Sequence, residues 1–477
     1  MKYWLVWLLI LPAFLLASPA LASSDTDELR KMLEELRKEV QALKKENAEL
    51  RSQVEQLQKG QAQVAAPAAA PKHSFVSKGA YGSTPSGIDF YGFFKIDAVW
   101  QDSSAVGDVY VLWVLPENGI PPLGKKGDGD NKFTINFRHS RFGFDFSKPY
   151  KDFRVFGKME MDFYTESHGE ANFPWNPNHS PVRARRVFAG IEWGSWQLLA
   201  GLDWLTISQL YPHLSNFPSG TFMGNPGYRM PQVRLTKWFN TDLGRLKFQL
   251  AAEKPYAFPK DDEIIMDEDP ANDAGFPGVE GRVALETKLF GKPALFALWG
   301  HYSKEEYDIG TGEEDAESYS IGFETKFPLP IPQKAFIIGE IWYGRNFDGY
   351  YSCGVNQGTR FKLANGKYTT TLKGIKNTDV VSVDEIDAWG GYVELELFWS
   401  PKLVTHFGWG IDNPDNDDLK GVGGARLQQQ MYYANFLYRL TKEFGFGMEY
   451  MYIETDYHSN LGDGELNRVM GSLYYFF

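Results

Sequence analysis

ELNRVMGSLYYFF, residues 465–477, is the stretch on which the fold turns. Val469, Gly471, Leu473, Tyr475 and Phe477 fall on one side of an extended chain, and Arg468, Ser472 and Tyr474 on the other. A period of two marks a strand. Its apolar face ends in aromatics, as a lipid-facing strand ends at an interfacial girdle. In a soluble sheet such a free edge invites aggregation. The expectation is that this strand closes a barrel against the first strand of the domain.

Composition agrees. The 477 residues are 43% hydrophobic and 16% aromatic, with a net charge of −12, yet mean hydropathy is negative. Alternating strands average out in this way. Beyond the N-terminus no apolar run reaches the ~18 residues of a membrane helix. The single cysteine, Cys353, excludes an internal disulfide and a cysteine metal cluster, and reads as an unpaired loop thiol. The acidic balance argues against nucleic acid as a partner.

Residues 1–22 read as a secretory signal: Lys2, an apolar core over 4–17, then Pro19, Ala20, Leu21 and Ala22 with small residues in the cleavage pattern. Residues 23–59 carry a heptad. Leu29, Leu36, Leu43, Leu50 and Leu57 recur every seven residues, and Leu33, Val40, Asn47 and Val54 fall four after successive leucines. With the leucines at d and the others at a, Glu39–Lys44 and Glu46–Arg51 are the g-to-e′ pairs of a parallel coiled coil. Val and Asn at a with Leu at d lean towards a dimer. The rod is roughly 43 Å long at 1.5 Å per residue. Residues 60–87, rich in Ala, Pro, Gly, Ser and Gln, read as a linker.

From residue 88 to 477 alternating strands follow one another, about sixteen in all, an even number as single-chain bacterial barrels need. Gly92/Phe94/Ile96/Ala98/Trp100, Phe142/Phe144/Phe146, Val187/Ala189/Ile191/Trp193 and Tyr432/Ala434/Phe436/Tyr438/Leu440 are outward rows. Connections alternate between long (101–132, 166–181, 206–230) and short (147–151, 194–195, 240–242). Long ones belong outside and short ones in the periplasm, which puts both ends of the barrel chain, and the heptad segment, in the periplasm. The fold class is therefore an all-β transmembrane antiparallel barrel with an N-terminal helical coiled coil, in the outer membrane.

Residues of the other parity line the lumen. Early strands supply Lys95, His139, Arg141, Arg154, Lys158, Arg186 and Arg234; later ones supply Glu286, Glu324, Glu340, Glu394, Glu396 and Glu449. A basic wall facing an acidic one makes a transverse field that filters small charged solutes. Wetness alone also makes lumen residues charged. The loop 206–230, TISQLYPHLSNFPSGTFMGNPGYRM, is apolar for a surface loop. It either folds into the lumen, with Tyr211, His213, Phe217, Phe222 and Tyr228 narrowing it, or packs on a neighbouring subunit. The acidic stretches 261–273 and 305–317 read as solvated outer loops without calcium-loop spacing. No catalytic set stands out, and the histidines show no metal spacing, so neither enzyme chemistry, metal nor cofactor is expected.

The order of signal, heptad helix and Ala/Pro linker, then an opening strand Tyr91-Gly-Phe-Phe-Lys-Ile-Asp97 and a second strand Arg138-His-Ser-Arg-Phe-Gly-Phe144, resembles the DcaP-like outer-membrane porins over essentially the whole length. The resemblance implies a trimeric sixteen-stranded channel with a periplasmic coiled coil, taking up small negatively charged solutes, dicarboxylates especially, through an arginine-lined pore. Arg138 and Arg141 best match its motif; by parity Arg141 points inward and Arg138 outward unless a bulge intervenes. The dimer-leaning heptads leave trimerisation to the barrel walls, and the acidic opposite wall sets anion preference against it. Two other functions fit the sequence: a non-selective diffusion pore, and an envelope tether whose coiled coil meets peptidoglycan.

Overall fold

The computed structural model describes residues 38, 41, 87–107, 110–119, 129, 131–164, 180–216, 220, 223–257, 270–350, 354–372, 375–458 and 461–477. The chain divides into two compact units, Met1–Lys72 and His73–Phe477. In the first, the described residues Lys38 and Gln41 are helical. The signal, every heptad core position named above and linker residues 60–86 lie outside the described residues, as do Phe217, Phe222, Cys353 and 261–269 of the first acidic stretch; Gly87, read as the linker's end, opens the first strand.

In the second unit, sixteen antiparallel spans close into a ring. They are β1 Gly87–Gln101, β2 in two halves (Lys132–Asn136 and Arg141–Pro149), β3 Arg154–Asp162, β4 Arg183–Trp193, β5 Trp196–Trp204, β6 Arg229–Thr241, β7 Gly244–Glu253 and β8 Gly278–Leu289. The second half of the ring is β9 Lys292–Ile309, β10 Gly312–Pro328, β11 Lys334–Arg345, β12 Asp387–Ser400, β13 Leu403–Pro414, β14 Arg426–Arg439, β15 Phe444–Tyr457 and β16 Gly464–Phe476. Each pairs with its neighbours in sequence, and β1 also pairs with β16, from Phe93↔Phe476 to Gln101↔Arg468. Closure leaves no open edge, the condition for strands in hydrocarbon.

The outward rows read from the sequence are outward. Phe94, Ile96 and Trp100 on β1, Val187 and Trp193 on β4, Tyr432 on β14, and Leu473 and Tyr475 on β16 are exposed large apolar residues. Their neighbours of opposite parity, such as Asp97, Asn435 and Ser472, are buried. The last residue locks the seam. Gly92 and Phe477 exchange two backbone hydrogen bonds of 3.0 Å, and the Phe477 ring lies 5.2 Å from those of both Phe90 and Phe94. Any side chain on Gly92 would meet that ring and the Arg141 carbonyl.

Two bulges change what parity predicted. On β2, Phe93 faces Arg141 while Asp97 faces Asn136. Three residues of β1 therefore oppose four of β2, and the extra one inverts the alternation. Phe133 and Ile135 are exposed before the bulge, Phe146 after it. Arg138 is consequently buried, its Nε donating to Ser180 Oγ at 3.1 Å. On β4 the register slips between Glu160↔Arg186 and Met161↔Ala184. Val182 and Val187 both face outward, which turns Arg183, Arg185 and Arg186 to one side.

The acidic stretch 305–317 is not a loop. β9 and β10 pair without a break to a two-residue tip at 310–311. Tyr307, Ile309 and Ala316 pack there against Phe361 and Val380 of a small sheet in the β11–β12 connection (Thr359–Leu363, Tyr368–Thr369, Val380–Glu385). The apolar residues between the acids have a partner the sequence does not display.

Deleting Phe477 removes two backbone hydrogen bonds and the ring contacts, about 2 to 4 kcal/mol in all. The heat-resistant folded band of the detergent-purified barrel is expected to unfold at lower temperature on electrophoresis, and Gly92→Leu to do the same. An unchanged melting profile in both contradicts a seam that depends on this contact.

Candidate functional site: the constriction

The connection after β5, residues 205–228, enters the lumen and runs along its far wall. Its backbone amides end on wall carboxylates. Thr206 N donates to Glu280 on β8 (2.6 Å), Leu210 N to Glu324 on β10 (2.8 Å) and His213 N to Glu394 on β12 (2.6 Å). Ser215 N and Asn216 N both reach Glu449 on β15 (2.6 and 2.9 Å). On the way back Gly224 N reaches Asp412 on β13 (3.1 Å), and Asn225 Nδ2 and Ser208 Oγ both reach Glu340 on β11 (2.8 Å each). These are hydrogen bonds to buried carboxyl oxygens, groups that are costly to leave unpaired.

The wall is shaped for this contact. Gly410 on β13 faces the loop so closely that a Cβ there would strike the Met223 carbonyl, and Gly224 (φ +95°) meets the Gly391 carbonyl. Glu324 and Glu340 stand directly opposite each other on β10 and β11, a like-charge pair that repels. Arg282 Nε on Glu324 (2.7 Å) and the loop donors on both acids offset that repulsion.

The acidic wall therefore has a different role from the one the sequence suggested. Glu340 is 6% exposed, Glu394 0% and Glu396 4%. The first two latch the loop, and Glu396 pairs with Lys326 at 2.8 Å. Lys95 joins them: it is 3% exposed, paired with Asp97 at 2.9 Å, and its Nζ donates to Ser215 O at 2.7 Å, tying the loop tip to β1. Of the constriction residues expected on the loop, Tyr211 packs 4.7 Å from Trp204 and burial pushes its hydroxyl well above the ordinary tyrosine range, keeping it a neutral donor. His213 keeps a side chain 45% exposed.

The remaining basic residues stand on the opposite side of the lumen, and all but the buried Arg234 keep partly exposed side chains. Arg141 is 28% exposed, 3.9 Å from Glu160 and over the Phe93 ring. Arg186 and Arg234 share Asp203, at 2.6 and 2.7 Å. Lys158 pairs with Asp145 and bonds Tyr91, and Arg154 pairs with Glu192 at the short-turn end. The bulge on β4 adds two arginines that the parity reading missed. Arg183 and Arg185 both hold Asp162, at 2.8 and 2.7 Å, and Arg185 also holds Glu160 at 3.1 Å. Arg229 adds a third, stacked on Trp204 and Tyr228. The consecutive basic run RARR at 183–186 was the available signal. A slipped register was needed to turn both parities inward.

Comparison with solved structures finds this architecture. The outer membrane channel DcaP of Acinetobacter baumannii superposes with a TM-score of 0.61, at 18% identity over 82% of this chain and 97% of that one. The barrel is DcaP-like in fold. An anion-selective porin from Comamonas acidovorans is similar at TM-score 0.51 and 12% identity, over 82% of this chain and 100% of that one. No protein-family model matches the chain, and no curated protein sequence does. In this DcaP-like barrel the loop is bonded to acids on one side, and a basic arc stands on the other.

Leaving one of these buried latch donors unpaired costs about 1 to 3 kcal/mol. The double variant Glu394→Gln, Glu449→Gln is expected to loosen the loop, raising single-channel conductance and open-channel noise in planar bilayers. Conductance and noise equal to the parent's would show that the loop is held by other contacts.

Proposed function

We propose that this chain is a passive outer-membrane porin for small hydrophilic solutes, with a preference for anions such as dicarboxylates. The observation that carries the reading is the unequal exposure of the two walls. The carboxylates Glu280, Glu324, Glu394 and Glu449 are 0 to 2% exposed, because the loop covers them. Arg141, Arg183 and Arg186 across the lumen keep side chains 28%, 26% and 24% exposed. A solute in the constriction meets guanidinium groups on one side and loop backbone on the other. The acidic wall that set anion preference in question is spent on the loop.

Chemistry favours a small di-anion. Arg141, Arg183 and Arg186 are planar forks suited to carboxylate. They come from neighbouring strands, β2 and β4 with β3 between, so two carboxylates of one short molecule can be met at once. Their partners Glu160, Asp162 and Asp203 hold them extended, which lowers the entropy lost on binding. The relative titled an anion-selective porin has the same barrel, and the sequence resemblance points the same way. On this reading residues 1–22 are the export signal and 23–59 a periplasmic coiled coil on a homo-oligomer, a trimer through its barrel walls.

Reversal potentials under a potassium chloride gradient test it. The parent is expected to pass chloride over potassium and to be blocked by a C4 dicarboxylate. Arg141→Gln with Arg186→Gln removes about 1 kcal/mol of attraction at the constriction, so the anion preference should fall about fivefold. Cation preference in the parent overturns the reading. Anion preference without block leaves a general anion pore and overturns the dicarboxylate part.

A further inference from the structure

The loop brings His213 against strand β13. Its ring stacks on His406, with centroids 4.8 Å apart and planes 10° from parallel. Between the two rings and β12 lies one carboxylate oxygen. Glu396 Oε1 is 3.8 Å from His213 Nε2 and 3.8 Å from His406 Nε2. All three donor atoms lie within 4.8 Å of one another.

The surroundings fix which nitrogen of each ring is free. His213 Nδ1 meets Glu394 Oε1 at 2.6 Å, so Nδ1 carries the proton. His406 Nδ1 meets the Asn435 side-chain oxygen at 2.8 Å. That amide cannot be turned round, because its nitrogen already donates to the His213 carbonyl (2.7 Å) and to Glu449 (3.0 Å). His406 Nδ1 is thus also the protonated nitrogen of the neutral ring. Both Nε2 atoms then lie unprotonated at 3.8 Å from Glu396 Oε1. His406 is 6% exposed, and its Nε2 has no hydrogen-bond partner. Lys326 occupies the other oxygen, Oε2, at 2.8 Å, which leaves Oε1 for something else.

Acceptors drawn together without a donor are unfavourable unless a cation sits among them; two of these three are buried. The arrangement is the carboxylate–histidine–metal pattern: ligating Nε2 atoms, each oriented by a hydrogen bond on Nδ1. We propose that His213, His406 and Glu396 bind a divalent transition-metal ion of the zinc class. Two imidazoles and a carboxylate form the three-protein-ligand zinc set that leaves a fourth position open. Tetrahedral bonds of ~2.0–2.1 Å put donors about 3.4 Å apart, so the two 3.8 Å separations close by about half an ångström and the two nitrogens, within 4.8 Å of each other, by more, with the half-exposed loop histidine turning out of its stack. His213 and His406 line a cavity of about 470 Å³ together with Tyr211, Leu214, Ile338 and Tyr474 among others, space for a fourth ligand. His213 belongs to the loop, while Glu396 and His406 belong to the wall. The ion therefore staples the constriction loop to β12 and β13, and adds positive charge to the pore. This site stands apart from the basic arc, and its binding test does not depend on the channel's selectivity.

The test uses the full chain without a histidine tag, chelator-stripped, in detergent, titrated with zinc chloride in a calorimeter. One site per chain is expected, with a dissociation constant in the micromolar range or tighter and no displacement by millimolar magnesium, which prefers oxygen ligands. His213→Ala leaves the barrel wall untouched and should weaken binding at least ~100-fold, since second-shell losses alone cost 10–100-fold. Copper(II) in place of zinc should show two imidazole nitrogens by electron paramagnetic resonance in the parent and one in His213→Ala. Zinc binding that survives in His213→Ala, or that magnesium displaces, assigns the ion to the acidic outer segments and overturns the proposal. No zinc binding at all also overturns it, and leaves a proton shared between His406 and Glu396.

Discussion

The pore of this barrel depends on hydrogen bonds from loop amides to buried carboxylates. A backbone N–H taken out of water must find an acceptor, and a carboxylate taken out of water must find donors. The loop over residues 205–228 and the wall of β8 to β15 solve both demands with the same contacts. Neither part is stable in its place alone: the loop without the acids has orphan amides, and the acids without the loop repel, as Glu324 and Glu340 do across β10 and β11. The constriction is therefore a property of the pair.

That contact also sets the electrostatics. An open lumen with these residues would carry opposed basic and acidic walls. Covering the acids keeps a passing solute from direct contact with them, while the arginines opposite stay in reach. The basic side is itself braced, since Glu160, Asp162 and Asp203 each hold arginines from more than one strand or position. Those acids orient the guanidinium groups without covering them. Rigid donors aimed into a narrow wet passage are what selective pores use in place of a deep binding pocket.

The exterior obeys a simpler rule. Lipid asks for apolar side chains and a closed ring of backbone hydrogen bonds, and β1 to β16 meet both. Strands β9 and β10 continue beyond what ~9–11 residues of membrane crossing require, because Tyr307, Ile309 and Ala316 find a partner in the β11–β12 sheet. Bulges on β2 and β4 break the alternation, and both turn arginines off the lipid face.

The sequence by itself determined the barrel, its even strand number and its outward rows, because a period of two and a lipid exterior divide the side chains between two faces; it left the apolar loop between the lumen and a neighbouring subunit. It also named Arg141, Arg186 and Arg234 as lumen residues. Tertiary structure alone decided what the acids do, since Glu394 and Glu449 meet a loop some 180 and 230 positions away. It alone decided the side on which Arg138 and Arg185 lie, because one inserted residue in a pair of strands is invisible to a parity count. And it alone joined His213 to His406, two histidines whose separation along the chain hides any metal spacing. Local alternation is written in neighbouring residues; the contacts that shape the pore are closed by folding.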